Sequence, residues 1–183
     1  MHYRLFDLTG RTCGMVLLTL ILAMCGTIET AFSDEAESAE APSTLAAYDH
    51  FVTDLVFADA NKLISVGRGT AAFRAGDVLE WDLATGKFAR QFTGHEIQVW
   101  AVATSPDRKS LATADAAGKV IVWDYATGEK KTTLEAHQHW VRDVAFSPDG
   151  QHLVTCSEDT TARIWELGSG KQVGELAGHT SMV

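Results

Sequence analysis

The sequence predicts an all-β chain built as a stack of about three similar four-stranded antiparallel units, and three observations predict it. The first is a period. His95, His137 and His179 are spaced 42 residues apart, and so are Trp81, Trp123 and Trp165. The second is local pattern: each period holds short β-branched and aromatic runs separated by Gly, Pro, Asp and Ser turns, the way strands and tight turns are written in sequence. The third is composition. Five tryptophans and fifteen glycines among 183 residues suit pleated surfaces joined by turns of unusual dihedral angle.

Before the repeats, Arg4 and Arg11 precede an uncharged apolar run over residues 15–28. A positive flank and an apolar core of this length form the layout of a secretory signal peptide. As a helix the run would rise about 21 Å, short of the roughly 30 Å hydrocarbon core, so a cleaved leader is expected over a permanent membrane anchor. Ala31-Phe32-Ser33 supplies small residues for cleavage after Ser33. Leu22-Ala23-Met24-Cys25 has the outline of a lipidation box but puts Met24 where a small residue is needed. Residues 1–33 are therefore expected to direct export to a periplasmic or extracellular compartment. Residues 34–46, rich in Ala, Glu and Ser, are too polar to bury a face and read as an acidic disordered linker.

The net charge of −9 is partly local, because residues 51–183 hold 17 acidic and 13 basic side chains. With no basic stripe to neutralise phosphates, nucleic-acid binding is not expected. Cys13, Cys25 and Cys156 make no disulfide framework. No Cys-x-x-Cys-His haem attachment site occurs.

The repeating part, residues 47–183, divides into units at about 47–93, 94–135 and 136–177, with the start of a fourth at 178–183. In the second unit Gln98–Thr104, Ser110–Ala114, Val120–Asp124 and a run near Lys130–Leu134 read as strands. The third unit offers Val141–Phe146, His152–Cys156, Thr161–Glu166 and Gln172–Leu176. The first matches at Val52–Phe57, Lys62–Val66 and Leu79–Leu83. From Leu63 to Trp81 it spans 18 residues, against 12 from Leu111 to Trp123 and from Leu153 to Trp165. The six extra residues lie within 67–77, a Gly-rich insertion expected to protrude as a loop.

Gly94-His95, Gly178-His179, Trp81-Asp82, Trp123-Asp124, Ser147-Pro148-Asp149-Gly150 and the Thr-Gly pairs at 85–86 and 127–128 together resemble the WD-repeat family of β-propellers. The resemblance runs from about residue 47 onward. It implies blades pinned by a network joining a loop histidine, a Ser or Thr, a turn aspartate and the tryptophan indole. The third unit matches in full with His137, Thr155, Asp159 and Trp165, and departs only in Trp165-Glu166. The second keeps His95, Thr113 and Trp123 but has Ala117 at the aspartate position, so an incomplete network is expected, with His95 resting on water or on Asp115. In the first unit Ser65 and Trp81 match, and Tyr48 stands at the histidine position.

A His-Asp-Thr set also suits nucleophilic catalysis, but one that recurs at a repeat period reads as structural, since chemistry needs a single site. His137 and His139 could share one face of an extended strand as metal ligands, yet no carboxylate or cysteine joins them at ligand spacing. No catalytic residue, cofactor or metal is therefore expected.

The resemblance implies partner binding on the face carrying the loops before each first strand. Aligned on Val52, Val99 and Val141, the neighbouring positions hold Phe51, Trp100, Trp140 and Arg142, and Glu158 precedes the turn aspartate. Aromatics and arginine are the side chains that anchor interfaces, so these five are the candidate contact residues. Three units fall short of the roughly four to eight blades of closed propellers, so a partial, unclosed propeller is expected, completed by further blades or other chains. The expected function is a non-enzymatic, exported scaffold for protein or peptide partners. The alternative is the sensor or accessory portion of a secreted enzyme or redox protein.

Overall fold

The computed structural model describes residues 51–68 and 76–181. The leader, the acidic linker, Tyr48, residues 69–75 of the insertion, Met182 and Val183 lie outside the described residues. Twelve strands follow in order. They are β1 (Phe51–Asp59), β2 (Lys62–Arg68), β3 (Gly76–Asp82) and β4 (Lys87–Gln91), then β5 (Val99–Thr104), β6 (Ser110–Asp115), β7 (Lys119–Asp124) and β8 (Lys130–Glu135), and last β9 (Val141–Phe146), β10 (His152–Ser157), β11 (Ala162–Glu166) and β12 (Lys171–Leu176). Each group of four forms one sheet in chain order, with all neighbours antiparallel. Among the described residues the fold is all-β, three four-stranded blades, none of them a closed sheet.

The turns between strands follow from short polar side chains that replace ladder partners. Between β5 and β6, Asp107 Oδ1 accepts from Lys109 N at 3.0 Å and from Ser105 Oγ at 2.6 Å. The equivalent turn in blade 3 repeats this through Asp149, which accepts from Gln151 N at 2.9 Å. The aspartate of each Trp-Asp pair shapes the turn into the outer strand: Asp124 Oδ1 accepts from Ala126 N and Thr127 N, both at 3.0 Å. In blade 3 Glu166 stands at this place and accepts from Ser169 Oγ at 2.6 Å, so Trp165-Glu166 still closes its turn.

Successive strand residues point to opposite faces, and two cores result. Val56, Ile64, Val66, Val78 and Phe92 of blade 1 meet Val99, Val102, Leu111, Ile121 and Trp123 of blade 2. The opposite side of blade 2, with Ala112, Ala114, Val120, Val122 and Leu134, meets Val141, Val144, Leu153 and Trp165 of blade 3. A sheet this small buries both faces only by stacking.

Blade 1 is not simply looped out by its insertion. The pairs Gly67↔Asp77 and Arg68↔Gly76 extend the β2–β3 ladder, so the two arms of the insertion are strand and only residues 69–75 fall outside the described residues. The ladder explains why β3 begins at Gly76, three residues before the expected Leu79.

Candidate functional site

Three bulges, one in the first strand of each blade, set up one rim of the stack. Val52 pairs with Gly67 and Asp54 with Val66, leaving Thr53 as an extra residue in β1. Trp100 is the extra residue between Val99 and Ala101, and Arg142 between Val141 and Asp143. A bulge inserts one unpaired residue, bends the strand and re-aims its side chain. Thr53 Oγ1 lies 3.2 Å from Val66 O of its own blade as well as facing the next one. Thr53 Oγ1 donates to Val99 O of the neighbouring blade at 2.6 Å.

Trp100 and Trp140 stack across the boundary between blades 2 and 3, with centroids 5.3 Å apart and planes 22° off parallel. The Arg142 guanidinium covers both rings, 4.4 Å from the Trp100 centroid and 4.8 Å from that of Trp140. A cation over an indole is held by the ring quadrupole. Glu158, in the β10–β11 turn, accepts from Arg142 Nε at 2.9 Å and forms an ion pair with Nη2. Glu158 is itself placed by its backbone, which donates to Trp140 O at 3.1 Å. Trp140 remains 40% exposed, and the Trp100 Nε1 donor is buried without a partner among the described residues.

Four of the five candidate contact residues, Trp100, Trp140, Arg142 and Glu158, thus form one cluster. Phe51 is not part of it. It starts β1 opposite Arg68 and is 77% exposed.

Beneath this rim lie the histidine networks. In blade 3 His137 Nδ1 meets Asp159 Oδ2 at 2.8 Å, His137 Nε2 meets Thr155 Oγ1 at 2.7 Å, and Trp165 Nε1 donates to Thr155 Oγ1 at 3.1 Å. A carboxylate only accepts, so Nδ1 carries the proton, Nε2 accepts from the threonine, and the hydroxyl accepts from the indole. Burial pushes the His137 pKa down, against the pull of Asp159, which agrees with this neutral tautomer. For Asp159 burial works upward but is outweighed by hydrogen bonds from Thr161 and His137, which bring its pKa down to about 2.

Of the two supports expected for His95, water or Asp115, the structure shows Asp115, and with it the network of blade 2 is complete despite Ala117. Asp115 Oδ2 lies 2.8 Å from His95 Nδ1, and Thr113 Oγ1 lies 2.7 Å from His95 Nε2 and 2.8 Å from Trp123 Nε1. Asp115 Oδ1 also accepts from Ala117 N at 2.8 Å and Lys119 N at 3.0 Å. The last residue of β6 therefore serves both the histidine and the turn amides, from a different backbone position. In blade 1 Trp81 Nε1 donates to Ser65 Oγ at 2.7 Å, and Tyr48 lies outside the described residues.

Thr113 and Thr155 are fully buried and bonded to histidine and indole, so neither hydroxyl is presented to a substrate. Both ring nitrogens of His137 are engaged, which leaves no lone pair for a metal shared with His139. Among the described residues no group of three His, Cys, Asp or Glu is placed to hold a metal.

One polar feature escaped sequence reasoning. Glu80 is 2% exposed, at the position filled by Val122 and Ile164 one and two repeats later. It accepts from Lys62 Nζ at 2.8 Å and Arg90 Nε at 2.9 Å. Burial works upward on its carboxyl, but the hydrogen bonds of Lys62 and Arg90 hold its pKa low. Arg90 lies over the rings of Phe92 and Tyr125 at 4.7 and 4.9 Å and donates to Ala126 O. The set pins blade 1 to blade 2. A charge standing where the other repeats carry aliphatics was the signal in the sequence.

Comparison with known proteins places these features. The family model for the WD domain, G-beta repeat, matches residues 86–124 and 128–166. Each match contains one outer strand, β4 or β8, and the three inner strands of the next blade, so the sequence repeat is staggered across the sheets. The solved chain described as "Structure of U3-55K" is similar in fold, with a TM-score of 0.68 at 23% identity, covering 76% of this chain and 43% of that one. The present chain thus spans less than half the length of that neighbour. No curated protein matches significantly. Two WD40 matches at the spacing of the blades, on a stack of four-stranded antiparallel sheets, support a WD-repeat family for this chain.

Proposed function

We propose that this chain is a protein-interaction module of the WD-repeat type that captures a protein or peptide segment on the rim formed by Trp100, Trp140, Arg142 and Glu158. The observation carrying this reading is the stacked tryptophan pair, held under a guanidinium and left part-exposed at a blade boundary. Buried aromatics and arginine concentrate interface energy. Here their rotamers are fixed before a partner arrives, which lowers the ordering cost of binding. Pairing with Glu158 leaves the cluster near neutral, so contact area rather than net charge would select the partner.

The apolar leader behind Arg4 and Arg11 supports export, so the partner would be met outside the cytoplasm. A fusion of residues 1–46 to a reporter active only after translocation tests this, and cytoplasmic retention of the fusion counts against it. For the rim, quantitative capture from the exported fraction compares the native chain with Trp140→Ala and Arg142→Ala. The reading requires a partner lost with both variants and kept with the outer-strand change Lys171→Ala. A partner captured equally by all forms rejects this rim as the binding surface.

A further inference from the structure

The two rims of blades 2 and 3 differ in charge. At the rim carrying the tryptophan pair, residues 92–101, 115–119, 135–143 and 157–163 hold six carboxylates, those of Glu96, Asp115, Glu135, Asp143, Glu158 and Asp159. Lys119, Arg142 and Arg163 oppose them, so three minus six leaves −3. The opposite rim, residues 105–110, 124–131, 147–152 and 166–171, holds five carboxylates and five Lys or Arg, and balances. Exposure widens the contrast. Glu96, Glu135 and Asp143 are exposed, whereas Lys119, Arg142 and Arg163 are half-buried. Arg142 is held by Glu158, and Arg163 lies 3.8 Å from Asp159 and 3.4 Å from Glu175. What this rim presents to solvent is therefore acidic.

The tryptophan cluster adds two places for a cation. Trp140 keeps 40% of its surface exposed, and an indole face attracts an ammonium or guanidinium. Glu158 accepts from Arg142 through Oε1 alone, and its Oε2 makes no hydrogen bond among the described residues. A carboxylate accepts on both oxygens, so Oε2 is available to a donor from outside. Arg142 and Glu158 cancel, which leaves contact area to govern the docked state. The carboxylates around them govern what approaches, because a field of one sign speeds the encounter with the opposite charge.

We propose, resting on the reading of this rim as the binding surface, that the captured segment is a basic stretch of polypeptide, with a lysine or arginine laid on the exposed part of Trp140 beside Glu158. An apolar segment would use the indole and leave the surrounding charge unused. An acidic one would be repelled by Glu96, Glu135 and Asp143.

A random linear peptide library displayed on phage and selected on the immobilised full chain tests this. The selected peptides should be enriched in Lys and Arg, and a synthetic copy should lose about tenfold in affinity on Trp140→Ala. Glu96→Lys combined with Glu135→Lys takes the rim from −3 to +1. Both side chains are exposed, so the double variant should keep its fold, with an unchanged circular dichroism spectrum as the control. It should slow association several-fold at low salt and leave dissociation nearly unchanged, and added salt should shrink the difference. Acidic or uncharged peptides that are lost with Trp140→Ala overturn the proposal while the rim stands as the binding surface. Basic peptides held equally by the native chain and Trp140→Ala overturn the rim reading and the proposal with it. A library that yields no binder, or an association rate unmoved by the charge reversal, overturns the proposal.

Discussion

Replacing Thr113 with valine removes one oxygen from a fully buried junction and keeps the shape of the side chain. That oxygen accepts from Trp123 Nε1 at 2.8 Å and contacts His95 Nε2 at 2.7 Å. Trp123 is 1% exposed and His95 2%, so water cannot replace the lost partner without a rearrangement of the blade. Each buried group left unsatisfied costs about 1–3 kcal/mol, so two give a loss of about 2–6 kcal/mol. Against a total stability of about 5–15 kcal/mol for a domain, that is a large fraction. Thr113→Ser retains the oxygen and loses one methyl, for about 1 kcal/mol. Urea unfolding of the full chain, followed by tryptophan fluorescence, should show the midpoint falling steeply for the valine variant and slightly for the serine variant. A valine variant as stable as the serine one would refute the inference that the hydroxyl joins indole and imidazole in a single network.

Three further outcomes follow from the same geometry. Gly118 sits at φ +87°, and a Cβ there would lie 2.0 Å from His137 O, so Gly118→Ala should cost about 2–4 kcal/mol by thermal unfolding through strain and backbone clash together. Ala117→Asp makes the turn of blade 2 match that of blade 3 in sequence, but His95 Nδ1 is already taken by Asp115. A second carboxylate beside the first repels it, so the melting temperature should stay level or fall, whereas a rise would show the Asp115 network to be misread. Acid should destabilise blade 3. The Asp159 carboxyl, at about 2 when folded against 3.8 ordinarily, contributes stability that is complete above its ordinary range and lost as pH falls through about 2. His137, held below 6.5 by burial, contributes stability present above that value and lost as pH falls toward its folded pKa. Both signs agree, and Asp159→Asn should flatten the low-pH limb of a melting-temperature profile.

The rim and the networks were legible in the sequence to different degrees. Trp100 and Arg142 were found by aligning on Val99 and Val141, because a repeat fixes the strand position of every residue. Their contact was not visible: it depends on bulges that release Trp100 and Arg142 from their ladders, and a bulge leaves little mark in sequence. Phe51 shares the alignment yet stands apart, since nearness around a stack of sheets is set by blade packing. For His95 the sequence left water and Asp115 both open, for a related reason. Alignment compares positions, while a hydrogen bond compares distances, and Asp115 at the end of β6 reaches His95 as well as a turn residue would.

The 42-residue period, the alternating strands and the turn residues determined by themselves that this chain folds as repeated four-stranded sheets, because those signals are local and each repeat restates them. The buried Glu80 ion set and the tryptophan pair across blades 2 and 3 were decided only by tertiary structure. Each depends on which sheet lies against which, and packing between sheets is a property that no single repeat encodes.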